Sequence, residues 1–334
     1  MPWTTPGYEE LELSTQLVIR EARARGHAVE VLDAPANFIR IRGAGRVEYL
    51  RQATRTSADT YVSPLIMENK KVTKRLLAEA GIRVPGGQDY GSLDAAGADF
   101  PRWRSRGTVV KPNTTNFGIG VSMLPAPVSE AAYLKAVAEA LEADDTILVE
   151  ELLPGREFRF LVIGGAVRAI LHRVPARVQG DGVHTVAELV ARKNEDPLRG
   201  KGYRSPLEKL RMGPEEAAHL GLAGLTFASV PEAGREVALR PNSNISTGGD
   251  SLDFTDRVHP GYGELAVAAA AAVGARICGV DMLIEDVDRE PDAANYGVIE
   301  LNFNPALHIH DYPYQGENRH VERHVLDLLE LWPC

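Results

Sequence analysis

The runs CGVDMLI (278–284) and VIELNFN (298–304) constrain the fold most, because each sets an acid inside an otherwise apolar strand pattern. Period-two alternation puts Glu300, Asn302 and Asn304 on one face of the second run. If the two runs pair, Asp281 faces Glu300. Two carboxylates about 4 Å apart repel by roughly 4 kcal/mol at an effective dielectric near 20. A core keeps such a pair only with a cation, with one acid protonated, or with an arginine beside one of them. An Asp, a Glu and an Asn amide are oxygen donors, the set that suits Mg2+ with phosphate oxygens and waters. The bland alternative is an edge strand with its polar face in water. His308 and His310 continue the alternation, but two histidines with no cysteine nearby are too few for zinc. Substrate contact or plain structure is the expectation for them.

Composition narrows the partners. The chain has 334 residues, 44% hydrophobic and 25% charged, an ordinary globular balance with room for two or three lobes. A net charge of -9 argues against nonspecific nucleic-acid binding. Cys278 and Cys334 are the only cysteines, which gives no disulfide framework and suits a reducing cytoplasm. The start MPWTTPGYEELEL lacks a basic segment followed by an apolar run, so no signal peptide is expected. Residues 265–284 are the most apolar stretch, but Gly274, Arg276, Gly279 and Asp281 break it. A helix followed by a strand is expected there rather than a membrane span.

Periodicity and punctuation predict helices over 8–25, 67–81, 129–144, the stretch TVAELVARKNED, 260–274 and near 319–331. Strands are predicted at 27–33, 37–43, 279–284 and 297–302, a hairpin at 107–124 and three strands within 146–176. Strands interleaved with helices, with several hairpins, indicate an α+β fold with mainly antiparallel sheets.

Three further segments bear chemistry. In VVKPNTTNFGIGVS, Lys111 ends an apolar run and is followed by a loop with Gly118 and Gly120. Such a loop brings backbone N–H groups near a phosphate while the lysine adds a point charge, although most such loops are simple hairpin tips. Neither the P-loop nor the dinucleotide-binding glycine pattern is present. In ILVEELLPGREFRF, Glu150 and Glu151 close a strand, and Glu157 and Arg159 share a face of the next. A solvated hairpin with a cross-strand ion pair explains that segment equally. The loop LRPNSNISTGGDS offers amides, hydroxyls and glycines to a polar ligand, or is a plain turn.

Taken in order, NKKVTKRLLAEAGIRVP, VVKP, the glycine loop, VEELLPGREFR and VDMLI…VIELNFNPA resemble an ATP-grasp carboxylate–amine ligase. HRVPARVQGDGVHTVAELVARKNEDPLRG, SPLEKL, PNSNISTGGDS and IELNFNPALHIHDYPYQGENR are similar to the glutathione-synthetase part of bacterial bifunctional glutamate–cysteine ligase/glutathione synthetases. Cyanophycin synthetases share the first of these stretches. The resemblance is clear from about residue 60 onward and fainter before it. It implies two lobes with mainly antiparallel sheets gripping ATP: an N-terminal region at 1–62, a small lobe at 63–150, and a large lobe at 151–334 with a substrate-binding insertion near 177–240.

The resemblance also implies roles. Lys70 and Lys111 would touch ATP phosphates, and residues 115–120, with Asn116, Gly118 and Gly120, would form a flap over them. Glu150, Glu151 and Leu153 would line the adenine and Glu157 would bind the ribose. Asp281, Glu300 and Asn302 would carry Mg2+, with Mn2+ as an alternative. Asn242, Asn244, Ser246, Thr247, Gly248, Asn304 and Arg319 would meet substrate. Relatives often have an arginine two residues before the metal-binding aspartate; Gly279 stands there instead. Arg159, Arg173 and Arg240 are the candidates to take its place at the transferred phosphate. The implied activity is amide formation from γ-glutamylcysteine and glycine through an acyl phosphate. The alternatives are another acid and amine, as in cyanophycin-like or dipeptide-forming ligases, or an ATP-binding module without turnover. The family carries a large glutamate–cysteine ligase region ahead of this part and none precedes it here, so γ-glutamylcysteine made elsewhere is the expected acid. Small-molecule partners, no nucleic acid, no membrane, a cytoplasmic setting and room for a homo-oligomer complete the expectation.

Overall fold

A computed structural model describes residues 2–116 and 118–333. The chain forms two compact units interleaved in sequence: Met1–Ala58, Arg168–Thr255 and Asn304–Cys334 make one, Asp59–Val167 and Asp256–Phe303 the other. The expected regions at 1–62, 63–150 and 151–334 follow sequence order, whereas these units follow contacts. The physical reason is strand pairing. The Arg156–Ile163 strand hydrogen-bonds to Ile277–Ile284, more than a hundred residues on, and draws that distant segment into its own unit.

The second of these units holds a four-stranded sheet ordered Gly87–Tyr90, Ile147–Glu151, Thr108–Pro112, Ser122–Leu124, antiparallel throughout. Its two faces differ. Val110, Ile147 and Val149 point into a core with Tyr133, Ala136, Val137 and Ala140. Those four lie at i, i+3, i+4 and i+7 on the Glu130–Ala143 helix, one apolar stripe. Ser129 caps this helix by accepting from Ala132 N, as its sequence predicts. The opposite face carries Lys111 and Glu150, because side chains alternate along each strand.

The same unit pairs Arg156–Ile163 with Ile277–Ile284, and the latter with Tyr296–Asn302, all antiparallel. The middle strand is buried along nearly its whole length. The Pro260–Ala272 helix packs against it through Tyr262, Ala266, Ala269 and Ala270. The predicted helix at 67–81 is two helices, Val62–Glu68 and Lys70–Glu79, separated by Asn69 in extended conformation.

In the first unit, the Leu13–Ala24 helix is buried through Leu13, Leu17, Val18 and Ile19. Beside it in sequence, Ala28–Asp33, Phe38–Gly43 and Arg46–Arg51 form a meander. The third strand was not predicted. Its turn is Ala44-Gly45, both with positive φ, so an alanine occupies the left-handed position where Asn or Asp would have flagged a hairpin. The unit also contains the Val186–Lys193 helix, with a capping box from Thr185 and Glu188. The last helix is shorter than expected, Glu322–Leu328. His308 and His310 do not alternate on a strand; they lie in the helical turn His308–Asp311. The extended run ends at Asn302, three residues before Pro305.

Candidate active site

The two acids that opened the argument do face each other. Asp281 and Glu300 are register partners, and Asn302 opposes Gly279, so all three side chains share a face of the sheet. On its other side Asp281 is the register partner of Arg159. The guanidinium grips the carboxylate with both arms: Nε donates to Oδ1, and Nη2 donates to Oδ2 at 2.7 Å. Both residues are buried. Burial alone would lower the Arg159 pKa, yet Asp281 outweighs it and holds the guanidinium charged. Asn302 Nδ2 donates to Asp281 Oδ2 at 3.1 Å. Glu300 meets Lys70, whose Nζ stands 3.5 Å from Oε1. Each acid is therefore matched by a cation of the chain.

Gly279 is part of this arrangement. A Cβ built on it would lie 2.7 Å from Arg159 Cδ and 3.2 Å from Nη1. The guanidinium thus runs across the space that any side chain at 279 would fill. Absence of an arginine at 279 and presence of one at 159 are two sides of one packing solution, readable only once the strands are paired.

Lys70 starts its helix and is fixed from several sides. Asn69 caps the helix, its Oδ1 accepting from Val72 N at 3.1 Å. Asn113 O accepts from Lys70 N at 3.2 Å, and Asn113 Oδ1 accepts from Lys71 N at 2.9 Å. Lys70 Nζ donates to Thr115 O, joining this lysine to the loop expected to act as a flap. Burial drives the Lys70 pKa down, with Glu300 partly restoring it. In the loop, Thr114 donates to Asp144 Oδ2 through N and Oγ1, both at 2.7 Å, and Thr115 Oγ1 donates to Ile119 O. Asn116 O accepts from Ile119 N, and Gly118 and Gly120 both have positive φ, the conformation that favours glycine. Phe117 lies outside the described residues.

Lys111 Nζ is 3.0 Å from Glu150 Oε2, and Lys74 Nζ makes an ion pair with Glu150 Oε1. Lys111 also donates to Ile299 O at 3.4 Å. Glu150 is buried; burial would raise its pKa, but Lys111 and Lys74 hold it below the usual carboxylate range. Gly87, its register partner, leaves room for it: a Cβ there would lie 2.9 Å from Glu150 Cγ. Glu151 Oε1 accepts from Gly86 N at 2.9 Å. Leu153 lies over Gly297, where a Cβ would come 2.2 Å from its Cδ1. Glu157 sits two residues before Arg159 on the same face and adds to its positive character.

Lys74 and Asn113 were missed at the level of sequence. Lys74 had a detectable signal, since it stands four residues after Lys70 on the same helical face. Asn113 had none, because its partners lie some 40 residues away in the chain.

In the other unit, Arg173 Nη2 donates to Asn244 Oδ1 at 2.6 Å, linking two predicted residues. Thr247 Oγ1 donates to Asn244 O at 2.9 Å, and lies 3.3 Å from Asn242 Oδ1. Ser246 O accepts from Arg211, and Gly248 takes a φ of 95° where a Cβ would meet Leu210 Cα at 2.7 Å. Arg319 Nε donates to Asp253 Oδ2 at 2.8 Å. Arg240 is held by Glu215 and Glu216 at the start of the Pro214–Leu222 helix. Asn304 joins Thr54 and Gln52 through both ends of its amide. His308 is buried with Nδ1 at 2.8 Å from Ser14 Oγ, and burial pushes its pKa down to about 4. Among the described residues no group of three or more His, Cys, Asp or Glu is placed to hold a metal.

Known proteins similar to this chain place its fold. A family model described as an ATP-grasp-like domain matches residues 9–62. The chain is similar to a crystal structure of a bifunctional glutathione synthetase from Pasteurella multocida, with TM-score 0.75 and 42% identity, over 98% of this chain and 45% of that one. A D-alanine–D-alanine ligase from Bacillus anthracis shares the fold, with TM-score 0.50 and 13% identity over 82% of this chain and 71% of that one. The chain has the ATP-grasp fold. Within that class it is a relative of the glutathione biosynthesis bifunctional proteins GshAB. It is 53% identical to that of Clostridium perfringens over 323 residues, and 46% identical to that of Desulfotalea psychrophila over 323 residues. Each match takes in 97% of this chain and 42% of the relative, so the chain spans less than half the length of these proteins. No helix among the described residues is long and apolar enough to cross a membrane.

Proposed function

We propose that the chain is an ATP-dependent carboxylate–amine ligase of glutathione-synthetase type, joining γ-glutamylcysteine to glycine. The observation that carries this reading is the face on which Asp281 and Glu300 oppose each other, with Asn302, Arg159 and Lys70 around them. Similarity to the GshAB proteins along nearly the whole chain supports the choice of substrates.

A carboxylate is a poor electrophile because its charge repels an amine. Transfer of the ATP γ-phosphoryl group to it gives an acyl phosphate and ADP. The amine nitrogen then attacks the acyl carbon, phosphate leaves with the C–O bond electrons, and the nitrogen loses a proton. The protein's task is positioning and charge neutralisation. Lys70 and Lys111 hold phosphate oxygens, and the 115–120 loop, with Asn116, Gly118 and Gly120, excludes water from the acyl phosphate. Glu150, Glu151 and Leu153 line the adenine, and Glu157 takes the ribose. Arg159 replaces the arginine missing at 279 and meets the transferred phosphoryl group. Arg173, with Asn242, Asn244, Ser246, Thr247, Gly248 and Arg319, serves the acid and amine.

The residues fit a magnesium ion. Asp281, Glu300 and the Asn302 carbonyl are hard oxygen donors on one face, and two acids opposed across strands suit a divalent partner. Mg2+, or Mn2+ in its place, supplies charge neutralisation for phosphate oxygens when bound. Asp281, Glu300 and Asn302 would hold the ion, and Arg159 and Lys70 beside them would offer charge to phosphate. The small polar substrates and the two-cysteine composition suit a cytoplasmic enzyme.

The test is ADP release in a coupled assay. ADP should appear only when Mg2+, ATP, γ-glutamylcysteine and glycine are all present, and Glu300→Ala should abolish it. Full turnover by that variant refutes the metal role. Activity confined to another acid–amine pair selects a different ligase, and nucleotide binding without turnover on a broad panel selects the inactive module.

A further inference from the structure

Lys74 has no place in the roles above, yet it is built into the site. It lies one turn after Lys70 on the Lys70–Glu79 helix and is mostly buried. Its ammonium contacts the Glu150 carboxylate on the oxygen that Lys111 leaves free, and it also donates to Pro85 O at 3.3 Å. Burial, with Lys111 second, drives its pKa down to about 8, so the chain keeps a costly cation here.

The charge count gives a reason. Glu150 is nearly inaccessible and is held ionised by two lysines. With Glu150 and Lys111 alone, the pair would be neutral and the Lys111 ammonium would be committed to the carboxylate. With Lys74 on the other oxygen, the three groups carry a net charge of +1. Lys111 then stands 3.0 Å from an acid that is already compensated, and keeps attraction for an incoming anion. In a site shielded from water such a difference is weakly screened.

We infer that Lys74 is a positioning residue that neutralises Glu150 so that the Lys111 ammonium remains available to the anionic phosphates of a nucleotide. The inference rests on the reading of this face as a nucleotide site and adds to it a residue that touches no phosphate itself. Arginine in place of Lys74 keeps the charge. Methionine keeps most of the bulk and loses the charge, which leaves Glu150 to claim Lys111.

The experiment is calorimetric binding of the Mg2+ complex of a non-hydrolysable ATP analogue to the full chain. Three proteins are compared: the unaltered chain, Lys74→Met and Lys74→Arg. Lys74→Met should weaken binding by about tenfold. Lys74→Arg should bind within about threefold of the unaltered chain. A lysine needed only for its aliphatic packing would not lose binding to methionine and recover it with arginine. Thermal melts of all three identify a variant that has lost its fold, and Lys74→Gln then replaces the methionine. Equal binding by Lys74→Met and the unaltered chain overturns the inference while leaving the nucleotide site standing. So does a Lys74→Arg variant as weak as Lys74→Met. Failure of the unaltered chain to bind the analogue overturns both this inference and the reading beneath it.

Discussion

At the scale of single residues, the site is an exercise in keeping buried charges matched. Asp281 and Arg159 are both buried and mutually bound, so removal of either strands the other. Arg159→Ala should lower stability by about 3–5 kcal/mol, measured by denaturant unfolding, because it leaves an uncompensated buried carboxylate. Gly279→Ala should cost roughly 1–3 kcal/mol through overpacking against the arginine stem, and should depress turnover by displacing the guanidinium. A Gly279→Ala protein with unchanged melting and unchanged rate would show that the arginine's path is not restricted there. The opposed acids were legible in the sequence, as was the need to neutralise them. Which cations do so was not. Arg159 is more than a hundred residues from Asp281 in the chain, and Lys74 reads as an ordinary helix lysine until the Glu150 strand is set beside it.

At the scale of elements, local signals located most strands and helices, and tertiary pairing decided the remainder. The hairpin at 107–124 and the capped helix after Ser129 follow from turn and cap chemistry alone. The break between the helices at 62–68 and 70–79 was hidden because MENKKVTKRLLAEAG has an unbroken helical pattern, and only its Asn69 hints at a cap. That cap also sets where Lys70 begins its helix. Asn69→Ala should therefore destabilise the chain by about 1 kcal/mol and weaken nucleotide binding, while Asn69→Asp should retain both. Comparison of the two variants by thermal melt and nucleotide titration checks this; equal behaviour would detach the cap from the lysine. The alternation after Pro305 misled in the other direction. His308 and His310 have the spacing of a strand but sit in a helical turn, where His308 is used to hold Ser14.

At the scale of the whole molecule, the α+β architecture and its antiparallel sheets were readable from the order of elements, whereas the interleaving of the two units was not. Interleaving depends on which distant strands pair, and no local pattern encodes that. Stability at this scale should also respond to pH through a buried acid pair. Burial, together with Glu322, raises the Asp311 carboxyl well above the usual carboxylate range. A carboxyl with a raised folded-state pKa binds its proton more tightly in the folded chain. Its contribution is therefore complete at acid pH and is lost as pH climbs from the ordinary carboxylate range toward alkaline values, by at most about 1.4 kcal/mol per pH unit. Asp311→Asn should flatten that decline in a melting-temperature profile; an unchanged slope would assign it to other groups. The central claim, that one face of opposed acids serves to energise a carboxylate for amide formation, has its most direct test in isotope transfer. γ-Glutamylcysteine labelled with 18O in the reacting carboxylate is incubated with ATP, Mg2+ and glycine, and the released phosphate is analysed by mass spectrometry. The account predicts tripeptide formation with one labelled oxygen in each phosphate. Tripeptide formed with unlabelled phosphate, or no tripeptide at all, would contradict it.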